Sequence, residues 1–340
     1  MIEYPKVSIV ILNWNGEEYL KRFLPSVTKT KYSNLEIIVG DNASSDNSIS
    51  LVKNNFPDVK ILENPINYGF AKGYNEILKR VNADYYVLLN SDVETSENWL
   101  QPCIDFLEKN NKAEACQPQI LDLKNKTHYE YAGASGGYID IWGFPFCKGR
   151  VFDTIEEKRA DYQKNEEVFW ASGACLIIKA NRYHELGGLD EDFFAHMEEI
   201  DLCWRLKNEG GQVWSIANTH IFHLGGGSLN YGNPKKVYLN FRNNLWMLIK
   251  NLPISSLLWR LPLRMLVDYL AVLKFISEGA FKSAFAIIRA HFDVEWSLKR
   301  TLKKRTPNQK KLTKMRGVYN KSLVWAYFVK GHKRFSDLIF

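Results

Sequence analysis

Three carboxylates crowd into four positions of the stretch FFAHMEEIDLCWRL (193–206): Glu198, Glu199 and Asp201. Acids in a first helical turn complement the macrodipole, and Asp201 reaches Arg205 at i,i+4. Neither rule requires two adjacent glutamates. On a helix Glu198 and Glu199 diverge by about 100°, so at most one of them points squarely into a cleft. A carboxylate there, its pKa lifted by neighbouring negative charge, has the properties of a general base. In LLNSD, Asn90 and Asp92 stand two apart, so on an extended strand they project to one side. A carboxylate and an amide make an oxygen-rich site for a hard divalent cation such as Mg²⁺ or Mn²⁺; Asn and Asp also end strands where a turn begins. His223, in HIFHLGGGS, is either a packed histidine or a metal ligand facing an oxygen donor. Gly225, Gly226 and Gly227 after it suit a flap over a phosphate. DNASSDNS (41–48) reads as turn and N-cap residues, and equally as a site where Asp41 accepts the imide N–H of uracil or thymine.

These groups need elements to hold them. VSIVIL (7–12) is a β-branched run ending in polar NWNG, the pattern of a buried parallel strand, with a helix following over EEYLKRFLPSV. A strand over 35–39 and a helix from about Ser48 repeat it. A short strand at VKILEN follows, then a helix opened by NYGFAKGYN, then the strand DYYVLLNSD. Alternating strands and helices predict an α/β fold with a mostly parallel central sheet, and ligands bind outside the carboxyl ends of such strands. No G-x-G-x-x-G is present, so dinucleotide binding is disfavoured. Gly69 and Gly73 still permit close backbone approach to a ligand. Residues 122–168 read as an insertion with short strands that shapes the cleft. VFWASGACLIIKA (168–180) is strand-like, and GQVWSIANTHIFH is a strand leading into the glycines.

Residues 231–340 hold 22 Lys and Arg against 5 Asp and Glu, whereas residues 1–230 hold 23 against 33. The division is therefore a body at 1–234 and a basic, amphipathic, helical region at 235–340. No stretch there reaches the roughly 18–20 uncharged apolar residues of a membrane span. Basic helices carrying Trp and Phe lie flat on anionic membrane surfaces, or pack as an ordinary subdomain. Five scattered cysteines with no C-x-x-C argue for reduced thiols, and against a zinc site or disulfide framework. The N-terminus enters a strand-like run with no signal-peptide pattern. The expected location is cytoplasmic, peripheral on the cytoplasmic face of the plasma membrane.

The order VSIVILNWNG, DNASSDNS, NPINYGFAKGYN, LLNSD, SGACLIIKA, GGLDEDFFAHMEEIDLCWRL, HLGGGS resembles glycosyltransferase family 2 over roughly residues 5–245. These are inverting enzymes of the GT-A fold, and the chain is most similar to their rhamnosyltransferase-like branch in bacterial polysaccharide assembly. The resemblance implies that Asn13, Asn15, Asp41 and Asn42 hold the base and ribose of a nucleotide sugar. Asn67, Gly69 and Lys72 would border nucleotide and sugar. Asn90-Ser91-Asp92 matches the D-x-D motif, with Asp92 and His223 as ligands to Mg²⁺ or Mn²⁺. Trp170, Ser172, Gly173 and Ala174 would line the acceptor side, with Arg242 near phosphate. E-D-x-D becomes Glu198-Glu199-Ile200-Asp201, which makes Glu199 the expected base and Glu198 its reserve. Asn90 in place of the first Asp removes a negative charge, and Glu199 is one methylene longer than the commoner Asp.

The implied reaction transfers a sugar, best matched by dTDP-rhamnose, to a saccharide acceptor carried on polyprenyl diphosphate. The same fold using UDP-hexose or UDP-N-acetylhexosamine is the alternative. A non-catalytic carbohydrate-binding scaffold is a more distant one. So is a nucleic-acid binder built on KRTLKKRTPNQKKLTKMR (299–316), though no nucleic-acid motif accompanies that run and none is expected as a partner.

Overall fold

The β-branched runs do form the strands that their burial requires. The computed structural model describes residues 4–225 and 233–340. In chain order the first half is β1 (Val7–Asn13), α1 (Glu17–Val27), β2 (Leu35–Asp41), α2 (Ser48–Asn55), β3 (Lys60–Glu63), α3 (Gly69–Leu78), β4 (Tyr85–Leu89), β5 (Val93–Glu94), α4 (Gln101–Lys109) and β6 (Ala113–Asp122). Then come β7 (Gly137–Asp140), β8 (Pro145–Cys147), β9 (Arg150–Val151), β10 (Thr154–Ile155), β11 (Glu166–Val168), β12 (Cys175–Lys179), α5 (Ala180–Glu185), α6 (Glu198–Asn208) and β13 (Gln212–His223). The C-terminal part holds α7 (Pro234–Asn251), α8 (Ile254–Ser277), α9 (Phe281–Lys303) and β14 (Val318–Tyr319).

The main sheet runs β11-β13-β6-β12-β4-β1-β2-β3, with β5 added against β13. Its β4-β1-β2-β3 half is parallel, as is the β6–β13 pair. In between, β12 runs antiparallel to both β4 and β6, so the sheet is mixed. Helices cover both faces, which is why β1 buries side chains on each side of its pleat. The insertion folds into a second sheet, β10-β9-β8-β7-β14, whose last strand comes from the C-terminal region.

Three sequence expectations need revision. The 168–180 segment is not one strand: β11 ends at Val168 and β12 starts at Cys175. Ser172 breaks the run, its hydroxyl accepting the Ala174 N–H at 3.1 Å while its carbonyl takes the Cys175 N–H. The strand at 84–92 stops at Leu89, and Ser91-Asp92 form a turn. The C-terminal region is helical only to Lys303; beyond it the chain winds back through short turns and β14. Part of the basic run is used internally. Lys304 pairs with Asp190 at 2.5 Å and Asp192 at 2.6 Å, and Lys310 Nζ donates to the Lys207 carbonyl at 3.2 Å. All five cysteines are free and buried.

Candidate active site

The ends of β1, β2 and β4, the start of β12 and the end of β13 open on one edge of the sheet. Asn13 faces Asp41, Leu89 faces Cys175, and Val93 faces His223 in register. At the first pair the Asp41 carboxylate is 2 % exposed and already engaged. Its Oδ1 accepts from Asn13 Nδ2 at 2.9 Å and Ser44 Oγ at 2.6 Å, and Oδ2 accepts the Ser44 N–H at 2.9 Å. A carboxylate offers about four lone-pair directions, so one stays open for a ligand donor. The turn reading and the base-recognition reading thus apply to one group. Asn15 has φ +50° and accepts the Ser45 N–H at 2.7 Å, which ties the two loops together.

Asn42 is a hub. Its Nδ2 donates to Asn67 Oδ1 and the Gly69 carbonyl, both at 2.9 Å, and its Oδ1 accepts from Asn64 Nδ2 at 3.1 Å. These bonds fold the loop before α3, and Asn64 was not legible as part of the set. Gly69 has φ +76°, and a Cβ there would lie 2.6 Å from the Phe194 ring. Gly73 packs on the Asn42 amide. The two glycines therefore admit protein side chains closely. Lys72, half-exposed, lies 3.6 Å from Glu191 and over the Tyr68 ring.

Asp92 and His223 meet although the alternation argument for LLNSD fails. Asp92 Oδ1 is 3.0 Å from His223 Nε2, and Asn90 Nδ2 is 3.5 Å from the same nitrogen. On the other side of the ring, Glu130 Oε2 lies 3.3 Å from Nδ1. All three of Asp92, Glu130 and His223 are buried. Burial opposes charge on the imidazole, but the Asp92 and Glu130 carboxylates outweigh it and push it up to about 10. Glu130 sits in the insertion outside any motif, and no sequence signal marks it. Gly225 approaches it so closely that a Cβ would lie 2.8 Å from Glu130 Oε1. Gly226 and Gly227 lie outside the described residues.

A divalent cation fits this donor set by displacing the proton between Asp92 Oδ1 and His223 Nε2. Adjacent ligands about 2.1 Å from an octahedral ion stand about 3 Å apart, the separation of Asp92 Oδ1 and His223 Nε2. A second-shell carboxylate on the other ring nitrogen is the usual support of a ligating His. Among the described residues no group of three or more His, Cys, Asp or Glu forms a complete cage, so remaining ligands would come from diphosphate and water.

The three acids of α6 have three different fates. Asp201 is fully buried and bonds Arg205 Nε at 2.9 Å, Lys250 Nζ at 2.7 Å and Asn251 Nδ2 at 2.8 Å. It fastens α6 to α7. Asp201→Ala would leave Lys250 with Asp190 alone and Arg205 with the Leu186 and Gly188 carbonyls, and is expected to cost about 3 kcal/mol, the low end for a broken buried ion pair, measurable by denaturant unfolding. Glu198 is buried, and burial beside Glu199 and Asp201 pushes its pKa well above the usual carboxylate range. Glu199 is partly exposed. Burial raises its pKa to about 6, while the N–H groups of Met197, Glu199, Ile200 and Gly173 pull the other way. A Cβ on Gly173 would stand 3.7 Å from its Cδ. Next to that glycine, the Ala174 carbonyl accepts the Asn90 N–H at 3.0 Å. One turn therefore joins Glu199 to the Asn90–Asp92 corner.

Two acceptor-side expectations are corrected. Trp170 is buried between the two sheets, pressed on Gly137, with its indole N–H given to the Tyr138 carbonyl at 2.9 Å. Arg242 stacks on Trp246 at 4.1 Å and donates to the carbonyls of Asp192 and Phe193 at 3.3 and 3.2 Å. Its charge holds the loop before α6. Ser172 is also buried, its hydroxyl on the Ala132 carbonyl at 2.9 Å. Ala174 is buried beside it, which leaves Gly173 as the partly exposed member of the turn.

That loop is strained: Phe194, His196 and Met197 have φ of 65°, 71° and 73°. Asn243, fully buried on α7, donates to the carbonyls of Phe193, Ala195 and His196 at 3.0, 2.9 and 2.8 Å. It was not singled out from sequence. Asn243→Ala is expected to cost about 1–3 kcal/mol of stability and to lower kcat by loosening Glu199. Unfolding curves and kcat measured together check it; unchanged kcat in the folded variant would show that the loop needs no such clamp.

The sequence model described as Glycosyl transferase family 2 matches residues 8–185. An N-acetylglucosaminyl-diphospho-decaprenol L-rhamnosyltransferase of Mycobacterium tuberculosis is 22 % identical over 230 residues, covering 63 % of this chain and 75 % of the relative. The rhamnosyltransferase WbbL of Escherichia coli K12 is 23 % identical, covering 64 % and 83 %. Among solved structures, the Pyrobaculum calidifontis mannosyltransferase PcManGT with GDP-Man and Mn²⁺ superposes with TM-score 0.56 at 14 % identity, covering 87 % of this chain and 88 % of that one. GalNAc-T7 with UDP, GalNAc and Mn²⁺ gives 0.59 at 16 % identity, covering 75 % of this chain, which spans about half of it (49 %). The shared architecture is GT-A-like.

Proposed function

The chain belongs to glycosyl transferase family 2, and from that premise we propose that it transfers a sugar with inversion from a nucleotide diphosphate donor, in a metal-dependent reaction. The donor is dTDP-rhamnose and the acceptor a saccharide on polyprenyl diphosphate; two rhamnosyltransferase relatives support the sugar, and the diphospho-decaprenol in the name of the first supports the lipid carrier. One observation carries the mechanism. Glu199, ionised near neutrality, lies against Gly173, and the neighbouring Ala174 is bonded to Asn90 at the Asp92–His223 corner.

In this reading Asn13, Asp41 and Ser44 hold the base, and the Asn42–Asn67 loop borders the sugar. Mg²⁺ or Mn²⁺, held by Asp92 and His223 with Asn90 beside them, would neutralise charge on the departing diphosphate. Glu130 orients His223 from behind. Glu199 takes the proton of the acceptor hydroxyl as its oxygen attacks the anomeric carbon, and the nucleoside diphosphate leaves from the opposite face. Glu198, buried behind it, is not placed to compete for that proton. Residues 1–234 form the catalytic unit in this proposal. The basic region 235–340 brings it to an anionic membrane surface on the cytoplasmic face. A binding screen of nucleotide sugars with and without Mn²⁺ tests the reading: dTDP-rhamnose should bind, and more tightly with the metal. Failure of every nucleotide sugar to bind would overturn it.

A further inference from the structure

α8 is turned inside out. Its inward positions Arg260, Arg264 and Asp268 recur every four residues and are buried. Arg264 pairs with Asp268, donates to Asn244 Oδ1 at 3.2 Å and lies 3.7 Å above the Phe144 ring. His291 of α9 closes the set, 3.2 Å from Asp268. The outward positions are apolar. Leu258 is 73 % exposed, Leu266 64 %, Leu270 58 % and Leu273 63 %. No charged residue is exposed on α8 before Lys274. A helix facing water has the opposite arrangement, and an exposed apolar patch of this extent marks an interaction site.

α9 packs on α8 and exposes side chains of a different style. Phe281, Phe285, Phe292 and Trp296 are exposed, Trp296 by 92 %. Exposed Lys282, Arg289, Lys299 and Lys303 stand among them. Aromatic rings interleaved with cations fit the boundary between acyl chains and anionic headgroups. Among the described residues no helix is long and apolar enough to cross a membrane, and buried Arg264 and Asp268 of α8 pair with each other on the protein side. The face is therefore suited to lying in the membrane plane. A second copy of the chain fits less well, because twofold pairing would bring the cationic flanks of α9 together.

Deepening the membrane reading above, and resting on it for the lipid-borne acceptor, we propose that the outward faces of α8 and α9 insert into the headgroup region of an anionic bilayer. Attachment then has an apolar part as well as a charged part, so salt weakens it without abolishing it.

The test is flotation of the full-length protein with vesicles of phosphatidylcholine, alone or mixed equally with phosphatidylglycerol. Wild type should float with the anionic vesicles and keep a bound fraction in high salt. Leu258→Glu, Leu266→Glu and Leu270→Glu together change exposed positions and should leave folding intact. They should lower vesicle affinity at least tenfold. Lys282→Gln, Arg289→Gln and Lys299→Gln together should lower affinity for anionic vesicles roughly hundredfold, with little effect on phosphatidylcholine binding. Equal flotation of wild type and the triple Glu variant would overturn the proposal. So would a wild-type dimer in light scattering that the triple Glu variant converts to monomer. Donor hydrolysis without vesicles is read in parallel, and the triple Glu variant should match wild type there. Normal flotation without donor turnover would sink the transferase reading and leave the docking surface standing; turnover without flotation would do the reverse.

Discussion

Glu199→Gln should lower turnover by about 10²–10⁴-fold, the usual contribution of a positioned base, with donor affinity unchanged. The carboxamide keeps the shape of the side chain beside Gly173 and loses the ability to take a proton. Glu198→Gln is the control: burial disfavours charge on its carboxyl, so the amide should leave most of the activity. The same contrast appears in the pH profile. A base must be ionised to work, and Glu199 is raised to about 6. Activity should therefore fall as pH drops through about 6 and level off above it, and Glu199→Gln should lack that acid limb. Near-normal kcat in Glu199→Gln, or an acid limb that survives the substitution, would remove Glu199 from the role.

Asp92→Ala should cost at least about 10²-fold in kcat/KM, because charge neutralisation at the leaving diphosphate is worth several kcal/mol. Donor affinity should also stop responding to Mn²⁺. Glu130→Gln gives a graded comparison, since it keeps both proposed ligands and alters what holds the His223 ring. Outer partners of this kind typically cost about 10–100-fold in metal affinity. Titration of donor binding against Mn²⁺ separates the cases. If Asp92→Ala retains wild-type metal dependence, the cation binds elsewhere.

The parallel half of the fold was readable because its strands are β-branched runs and its functional residues sit at their ends. Asn13, Asp41 and His223 each terminate a strand, and a strand end is visible in sequence as apolar turning polar. Asp92 was found for an incomplete reason: β4 stops at Leu89, and a turn delivers Asp92 to His223. Glu130, Asn64 and Asn243 were missed because each acts by a long-range bond from a segment with no local pattern. Trp170 and Arg242 were misplaced for the converse reason. Both stand in suggestive company along the chain, but burial between the sheets claims one and the carbonyls of 192–193 claim the other. Hydropathy also described the C-terminal helices as basic and amphipathic without indicating which face turned inward; Arg264, Asp268 and His291 settle that by pairing on the protein side.

α7 touches everything that matters at the second half of the cleft. Asn243 grips the strained loop, Lys250 and Asn251 grip Asp201, and the helix runs directly into α8. On the proposed roles, the Glu199 carboxylate and the docking face would both be carried by α7, so that tilting one would tilt the other. An enzyme mounted in that way would measure distance: hydroxyls at one height above the headgroups would meet Glu199, and those a sugar higher or lower would not. Acceptor length would be read as altitude, before any contact with the sugar itself.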